Sequence, residues 1–302
     1  TKNENSRLSF LLKEIDSCKK NDDGKISFVG GGYKSYSMLV GRLVKVDNEI
    51  PEVDKSRLIS KAIFEAAGCG ALNNKSLLAK LSTLENNYLK NPIKKFRVVS
   101  QISISRFVLP KKFKYKESTI TLCLSNGGLL YGEYKKVVEH VNRLSVPRQP
   151  TNYCTFSISV TGRTENQAFE KGINNFQFWR GCLNLGINDG KSWRISFDRR
   201  SPVNSIVCHP VFTIHEANGK LASNSWYFDP SYQIQSNLFK DSKAASTAVK
   251  ITNKLRDLLN NHPYENILVN SIMRYGNTLD KISYESAFLE LWSICEALTL
   301  TT

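Results

Sequence analysis

The chain has 302 residues, 41% of them hydrophobic and 23% charged, and a formal net charge of +15. This composition excludes an intrinsically disordered protein and leaves room for two or three domains. No apolar run is long enough for a transmembrane helix, and the N-terminus lacks a secretory hydrophobic segment. The seven cysteines are scattered and never spaced C-x-x-C, which predicts a cytoplasmic protein with reduced thiols and no cysteine-based metal site. We also expect no other metal site, no cofactor and no membrane partner.

The positive charge lies mainly in the first half of the chain. Residues 1–150 contain 27 Lys and Arg against 14 Asp and Glu, whereas residues 151–302 contain 15 against 13. A positive field of this kind attracts polyanions, so we expect nucleic acid, RNA in particular, as the partner. The alternatives are an acidic protein partner and a charge that serves only solubility.

Residues 1–92 are predicted to be mostly helical. Apolar residues recur at helical spacing in three segments, 6–20, 54–67 and 74–90. Asp54 is the expected N-cap of the second helix, and Asn73 or Asn74 is expected to begin the third. Residues 38–46 fit either a strand or a helix.

The hydrophobic period changes from helical to alternating after residue 92. Residues 96–108 and 111–124 alternate apolar and polar side chains, which predicts strands. In the second segment lysines take one face, and Phe113 and Tyr115 take the other. We expect these lysines and their neighbours to contact a phosphate backbone. The candidate nucleic-acid-binding residues are Lys94, Lys95, Lys111, Lys112, Lys114 and Lys116. The alternative is an edge strand whose lysines block pairing with other chains and whose aromatic rings are buried.

The rest of the chain mixes strands and helices and then becomes helical. We expect helices at 133–144 and 164–185, the second with a capping box formed by Thr164 and Gln167. Further expected strands are 151–161, 193–197, 211–215 and 224–228. Further expected helices are 244–261, which Asp241 opens, 264–280 and 284–302. The pattern predicts an α+β fold with three regions: a mostly helical region 1–92, an α/β sensing or binding region 93–240, and a helical bundle 241–302.

The last stretch of the chain reads YESAFLELWSICEALTLTT. Its apolar residues fall at helical spacing and are expected to face the core of a bundle: Phe288, Leu291, Trp292, Cys295 and Leu298. The segment FLELWSICEALT resembles the signature helix of the Apea-like branch of the HEPN superfamily. The preceding YENILVNSIMRYGNTLD resembles the helix before that signature. The strand SISVTGRT and the helix after it resemble the region before the HEPN module.

This resemblance implies a ribonuclease of the phage-defence or toxin type, which cuts RNA without a metal and forms a homodimer through the helical bundle. HEPN ribonucleases use an Arg and a His separated by four to six residues. The His can shuttle a proton, and the Arg can hold the charge on the phosphoryl oxygens. Arg256 and His262 match this spacing. The resemblance gives Glu296 the role of orienting such a pair.

Each of these catalytic assignments has an alternative. Arg256 and His262 precede the signature helix, whereas the family's motif follows it, so they also fit a surface Arg and a His that caps helix carbonyls. Glu296 also fits a carboxylate at the margin of the core. We therefore expect the natural chain to continue past Thr302 and to carry the catalytic motif there. Otherwise the chain is a non-catalytic nucleic-acid-binding or regulatory protein, or a scaffold for an acidic partner.

Overall fold

The computed structural model describes residues 2–22, 25–29, 32–70, 72–105, 108–122, 128–143, 153–188, 203–229, 238–281 and 283–299. The chain is an α+β protein with a helical C-terminal region, as its sequence pattern predicts. It divides into two compact units, Thr1–Ile93 and Lys94–Thr302. The expected strand 193–197 lies outside the described residues.

The first unit combines helices with one short β-hairpin. Its elements are α1 Lys2–Ser17, β1 Lys19–Asp22, β2 Lys25–Phe28, α2 Gly32–Leu43, α3 Glu52–Gly68 and α4 Asn74–Lys90. Leu12 of α1, Ile63 of α3 and Leu77 of α4 are fully buried in one apolar cluster. Most of residues 38–46 belong to α2, so the helical one of the two expectations for this segment is correct.

The start of α4 follows its capping signal, whereas the start of α3 does not. Asn73 caps α4 in a reciprocal capping box with Ser76. Helix α3 begins at Glu52, and Asp54 is not its N-cap. Asp54 lies buried inside the helix, where its carboxylate accepts a hydrogen bond from Tyr88 Oη at 2.9 Å. The Asp54 carboxylate therefore makes a long-range contact with α4 and does not cap its own helix.

The second unit is built on a β-sheet that helices cover. Its elements are β3 Lys94–Ile102, β4 Lys112–Tyr115, β5 Ser118–Leu122, α5 Leu129–Arg143, β6 Cys154–Gly162, α6 Glu165–Asn188, β7 Val211–Glu216, β8 Leu221–Phe228, α7 Ser242–Leu259, α8 Glu265–Thr278 and α9 Tyr284–Thr299. Among the described residues, the strands form a six-stranded antiparallel sheet in the order β4-β5-β6-β3-β7-β8. Strand β4 is therefore an edge strand, which is one of the two interpretations of its alternating lysines.

Helices cover the two faces of this sheet unequally. The long helix α6 packs on one face, where Phe156 of β6 stacks on Phe176 of α6 at a centroid distance of 4.4 Å. The shorter helix α5 packs on the opposite face, where Tyr134 joins a small cluster with Val99 and Val211. That cluster lies on β3 and β7, so α5 covers the β7 side of its face.

Helices α7 and α8 pack against α6. Gly181 allows the close approach of α8, because an added Cβ there would lie 2.5 Å from the backbone oxygen of Ile272. Next to it, Arg180 Nη1 lies 2.6 Å from Asp280 Oδ2 in a fully buried ion pair. Arg180 also donates hydrogen bonds to Gln177 Oε1. Polar contacts inside the core thus fix the end of α8 against α6.

The apolar residues of α9 were expected to face the core of a bundle, and this prediction is wrong for most of them. Phe288 is 64% exposed and Trp292 is 57% exposed. Helix α9 packs on α8 through another face, which buries Ala287 and Ile294. The carboxylate of Glu290 bonds Thr278 Oγ1 and pairs with Lys281 at the end of α8. Helix α9 does carry a stripe of large apolar residues, but α8 covers a different side of the helix, where Ala287 and Ile294 lie.

Candidate nucleic-acid interface

The register of the sheet brings cations from distant parts of the sequence into one row. Lys114 pairs with Thr119, and Thr119 pairs with Ser159. Ser159 in turn pairs with Arg97. Directly opposed residues of neighbouring strands point to the same side of the sheet. One row across four strands therefore begins and ends with a cation and has hydroxyls between them.

The neighbouring rows extend this arrangement. Lys112 pairs with Thr121, and Lys95 pairs with Thr161. Because positions two apart on a strand share a side, these residues lie on the same face as the first row. We call this surface the cationic face and define it by Lys95, Arg97, Lys112, Lys114, Thr119, Thr121, Ser159 and Thr161. Each of these side chains is exposed or half-buried.

Helix α5 sets the border of the cationic face. Beyond Arg97 the first row continues to His215 on β7, which is fully buried. The imidazole of His215 bonds Thr213 Oγ1 at 2.8 Å and the backbone oxygen of Gly219 at 3.0 Å. Burial lowers the pKa of His215, so the row carries no further positive charge past Arg97 at neutral pH.

The other face of the same strands is apolar. Phe113 is 8% exposed, and its ring lies 4.9 Å from that of Trp179 on α6. Tyr115 packs on Phe178 at 4.5 Å. The alternation of lysines and aromatic residues therefore separates the two sides of β4, with the rings on the core side. The burial of these two rings agrees with the alternative interpretation of this segment, an edge strand with buried aromatic rings.

The structure places the six candidate lysines in different surroundings. Lys95, Lys112 and Lys114 belong to the cationic face. Lys94 pairs with Gly162 and lies on the opposite side, whereas Lys111 is exposed just before β4. Lys116 occupies the β4–β5 turn with a positive φ of 51°. Its Nζ lies 2.8 Å from Glu265 Oε1 at the start of α8, so this lysine holds the hairpin in place.

Arg97 is not among the six candidate residues from the sequence, although the structure places it on the cationic face. The sequence feature that could have identified Arg97 is its position two residues after Lys95 in the same alternating segment, because this spacing puts both side chains on one side of a strand. The segment 94–150 contains 12 Lys and Arg against 3 Asp and Glu. The positive charge is therefore denser around β3, β4 and α5 than in the rest of the chain.

The three predicted catalytic residues occupy separate places. Arg256 pairs with its neighbour Asp257 at 2.9 Å near the end of α7. His262 lies in the turn before α8, where its Nδ1 accepts a hydrogen bond from the backbone of Tyr264 at 3.2 Å. Glu296 is exposed on α9 and accepts from Trp292 Nε1 at 2.8 Å. No hydrogen bond or ion pair in the described part of the chain joins any two of the three.

Within those described segments, no group of three or more His, Cys, Asp and Glu is arranged to hold a metal ion. None of the helices described there combines the length and the hydropathy that a membrane crossing requires. No protein-family model, curated protein or solved structure matches the chain. The function must therefore be argued from the residues of this chain.

Proposed function

We propose that the second unit binds nucleic acid through the cationic face. The observation that carries the proposal is the row from Lys114 to Arg97, which crosses four strands. Strands of a sheet lie about 4.8 Å apart, so the backbones of Lys114 and Arg97 are about 14 Å apart, with Thr119 and Ser159 between them. Lys, Arg, Ser and Thr side chains are the usual donors to phosphate oxygens.

The composition of the face favours contact with the backbone over contact with bases. The aromatic rings of β4 lie on the other side, so no aromatic residue is among those that define the cationic face. Phosphate contacts position a polynucleotide without reading its sequence. We therefore expect binding that tolerates many sequences and weakens as salt increases.

The test is the affinity of the protein for fluorescently labelled single-stranded RNA, measured by anisotropy, with DNA and double-stranded RNA beside it. The variant carries Lys112→Glu and Lys114→Glu. Two reversed charges on the face are expected to weaken RNA binding by at least about tenfold at about 100 mM salt. The same reactions, run on a denaturing gel, also show whether the RNA is cut, as the resemblance to HEPN ribonucleases implies.

The matched control carries Lys243→Glu and Lys250→Glu. Both lysines are exposed on α7, which packs on the α6 side of the sheet, and the change in net charge is the same. This control should retain most of the affinity. An equal loss in both variants would show that only net charge matters and would contradict the assignment of the face. Absence of RNA and DNA binding at low salt would contradict the proposal itself.

A further inference from the structure

The cationic face presents its cations as two pairs on separate strands. Lys112 and Lys114 lie on β4, and Lys95 and Arg97 lie on β3. Within each pair the residues are two positions apart, so their backbones are about 6.8 Å apart along the strand. Strands β5 and β6 lie between the two pairs. The pairs therefore form two borders of the face, whose backbones are about 14 Å apart.

Hydroxyl groups occupy the space between the two pairs. Thr119 and Thr121 come from β5, and Ser159 and Thr161 come from β6. Ser159 is exposed and the three threonines are half-buried, so all four hydroxyl-bearing side chains can meet a bound molecule. Because these side chains are short, they can reach only a molecule that comes close to the surface of the sheet.

The four cations of the face are available to bind an anion. Lys116, in the neighbouring turn, pairs with Glu265 at 2.8 Å. Across the residues that the structure describes, none of the four cations of the face has such a carboxylate partner. All four can therefore contact phosphates without first giving up an ion pair within the protein.

A single strand of nucleic acid would use only part of this surface. Many proteins that bind single strands combine cations with aromatic side chains, on which the unpaired bases stack. The cationic face contains no such residue, since the rings of Phe113 and Tyr115 lie on the other side of the sheet. A strand that follows one border would contact one cation pair and leave the other unused. A duplex keeps its bases paired and offers two phosphate backbones, one for each border.

The shape of the groove favours an RNA duplex over a DNA duplex. The major groove of B-DNA admits a helix or a two-stranded ribbon, and its minor groove is only about 6 Å wide, so a face four strands wide fits neither. A-form RNA has a wide, shallow minor groove that displays 2′-hydroxyls between the two backbones. This groove presents phosphates where the face has cations and hydroxyls where the face has Ser and Thr.

We infer that the cationic face binds double-stranded RNA across its minor groove. The β4 cations contact one phosphate backbone, and the β3 cations contact the other. Thr119 and Ser159 exchange hydrogen bonds with 2′-hydroxyls between the backbones, since a hydroxyl can both donate and accept. This inference rests on the proposed function and adds the kind of nucleic acid. Single strands and DNA duplexes bind the same cations more weakly.

The first experiment compares three labelled probes by anisotropy: an RNA duplex of about 16 base pairs, a DNA duplex of the same sequence, and one strand of the RNA alone. At about 100 mM salt, the RNA duplex should bind about tenfold more tightly than either of the others, because it alone engages both cation pairs and the hydroxyls. A single strand that binds as tightly as the RNA duplex would overturn the inference and leave the proposed function intact.

The second experiment removes hydroxyls and keeps every cation, in a variant with Thr119→Val and Ser159→Ala. The ratio of the affinities for the RNA and DNA duplexes should fall about fivefold, because only RNA offers 2′-hydroxyls to these side chains. The matched control carries Ser246→Ala and Thr247→Val, which are exposed on α7 on the α6 side of the sheet, and should keep the original ratio. An unchanged ratio in the first variant would contradict the contact with 2′-hydroxyls.

An RNA duplex with 2′-O-methyl groups tests the same contact without a change in the protein, and it decides the question if the variant fails to fold. Methylation keeps the phosphates and the base pairs but removes the 2′-hydroxyl as a donor, so the original protein should bind this duplex about fivefold more weakly. The variant at Thr119 and Ser159 should lose little more on the methylated duplex, because both changes remove the same contacts.

The outcomes separate the inference from the proposed function. Equal affinity of the original protein for the methylated and unmethylated duplexes would overturn the inference alone, since the cations could still hold the phosphates. Absence of binding of every duplex and strand at low salt would contradict the proposed function and the inference together.

Discussion

The two faces of the six-stranded sheet come from the same strands but have opposite chemistry. On the α6 face, Phe113, Phe156 and Ile158 are buried in the main core of the unit. On the other face, Lys114 and Arg97 remain accessible, because α5 covers only the β7 side. Strands β4 and β5 are anchored by residues buried on the α6 face, whereas β3 and β7 are also covered by α5 on the other face. The part of that other face that α5 does not cover is then available for cations that packing does not require.

The largest expected effect lies on the α6 side and concerns the ion pair of Arg180 with Asp280. Asp280→Ala removes the carboxylate that lies 2.6 Å from a guanidinium with no solvent exposure. An uncompensated charge remains in the core, and Asn204 Nδ2 loses the acceptor that it now has at 2.7 Å. We expect the free energy of unfolding, measured with urea, to fall by about 3–5 kcal/mol.

Asp257→Ala is the matched control, since it also removes the partner of an Arg. That pair is exposed, so its loss should cost less than about 0.5 kcal/mol. Similar losses in the two variants would mean that the core pair is accessible to solvent. The proposed difference between buried and exposed polar contacts in this unit would then be wrong.

A smaller effect is expected from His209, which is fully buried beneath α5. Its Nδ1 lies 3.0 Å from Tyr134 Oη and accepts from the backbone N–H of Val211 at 3.2 Å. Its Nε2 has no hydrogen-bond partner in the described part of the chain. Burial lowers the pKa of His209 to about 4, so the folded protein keeps this side chain neutral.

Protonation of His209 in the unfolded chain, but not in the folded protein, lowers the stability of the fold as the pH falls. In the unfolded chain the pKa of a His is about 6.5, so between pH 6.5 and 4 the unfolded state binds a proton that the folded state does not. This difference lowers stability by about 3 kcal/mol as the pH falls through that range. Urea unfolding of His209→Gln should lack this part of the pH dependence, whereas a change of the exposed His140 to Gln should retain it. An unchanged slope in His209→Gln would contradict the burial of this side chain.

The smallest expected effect lies on the cationic face. Lys112→Glu with Lys114→Glu should change the free energy of unfolding by no more than about 0.5 kcal/mol, because substitutions of exposed side chains rarely do more. The measurement is the urea midpoint and slope of this variant beside the original protein. A loss above about 2 kcal/mol would show that the lysines contribute to folding, and the loss of RNA binding in the same variant could then not be assigned to the face.

Local signals in the sequence predicted much of this fold. The Asn73 cap of α4 is present, and Asp241 accepts from the backbone of Ala244 at the start of α7. Gln167 N–H donates to Thr164 Oγ1 at 3.2 Å, which is one half of the predicted capping box, while Gln167 Oε1 accepts from the backbone N–H of Arg163. These features depend on residues a few positions apart, which makes them readable from the sequence alone.

Features that depend on distant pairings could not be read in the same way. Lys114 and Arg97 share a row only because β5 and β6 lie between β4 and β3, and alternation does not reveal strand order. The α9 pattern indicates an apolar stripe but not which side α8 covers, so the prediction that Phe288 faces a core is wrong. Trp179 of α6 likewise lies near residues of β4 and α7 that are far apart from it in the sequence.

The most direct test of the central claim is the salt dependence of RNA binding in a variant with Lys95→Ala and Arg97→Ala. The plot of log affinity against log salt should have a negative slope in the original protein. Removal of two phosphate contacts should reduce that slope by about 1.4 for a single strand. An unchanged slope would show that these two cations contact no phosphate, and the cationic face would not be the binding surface.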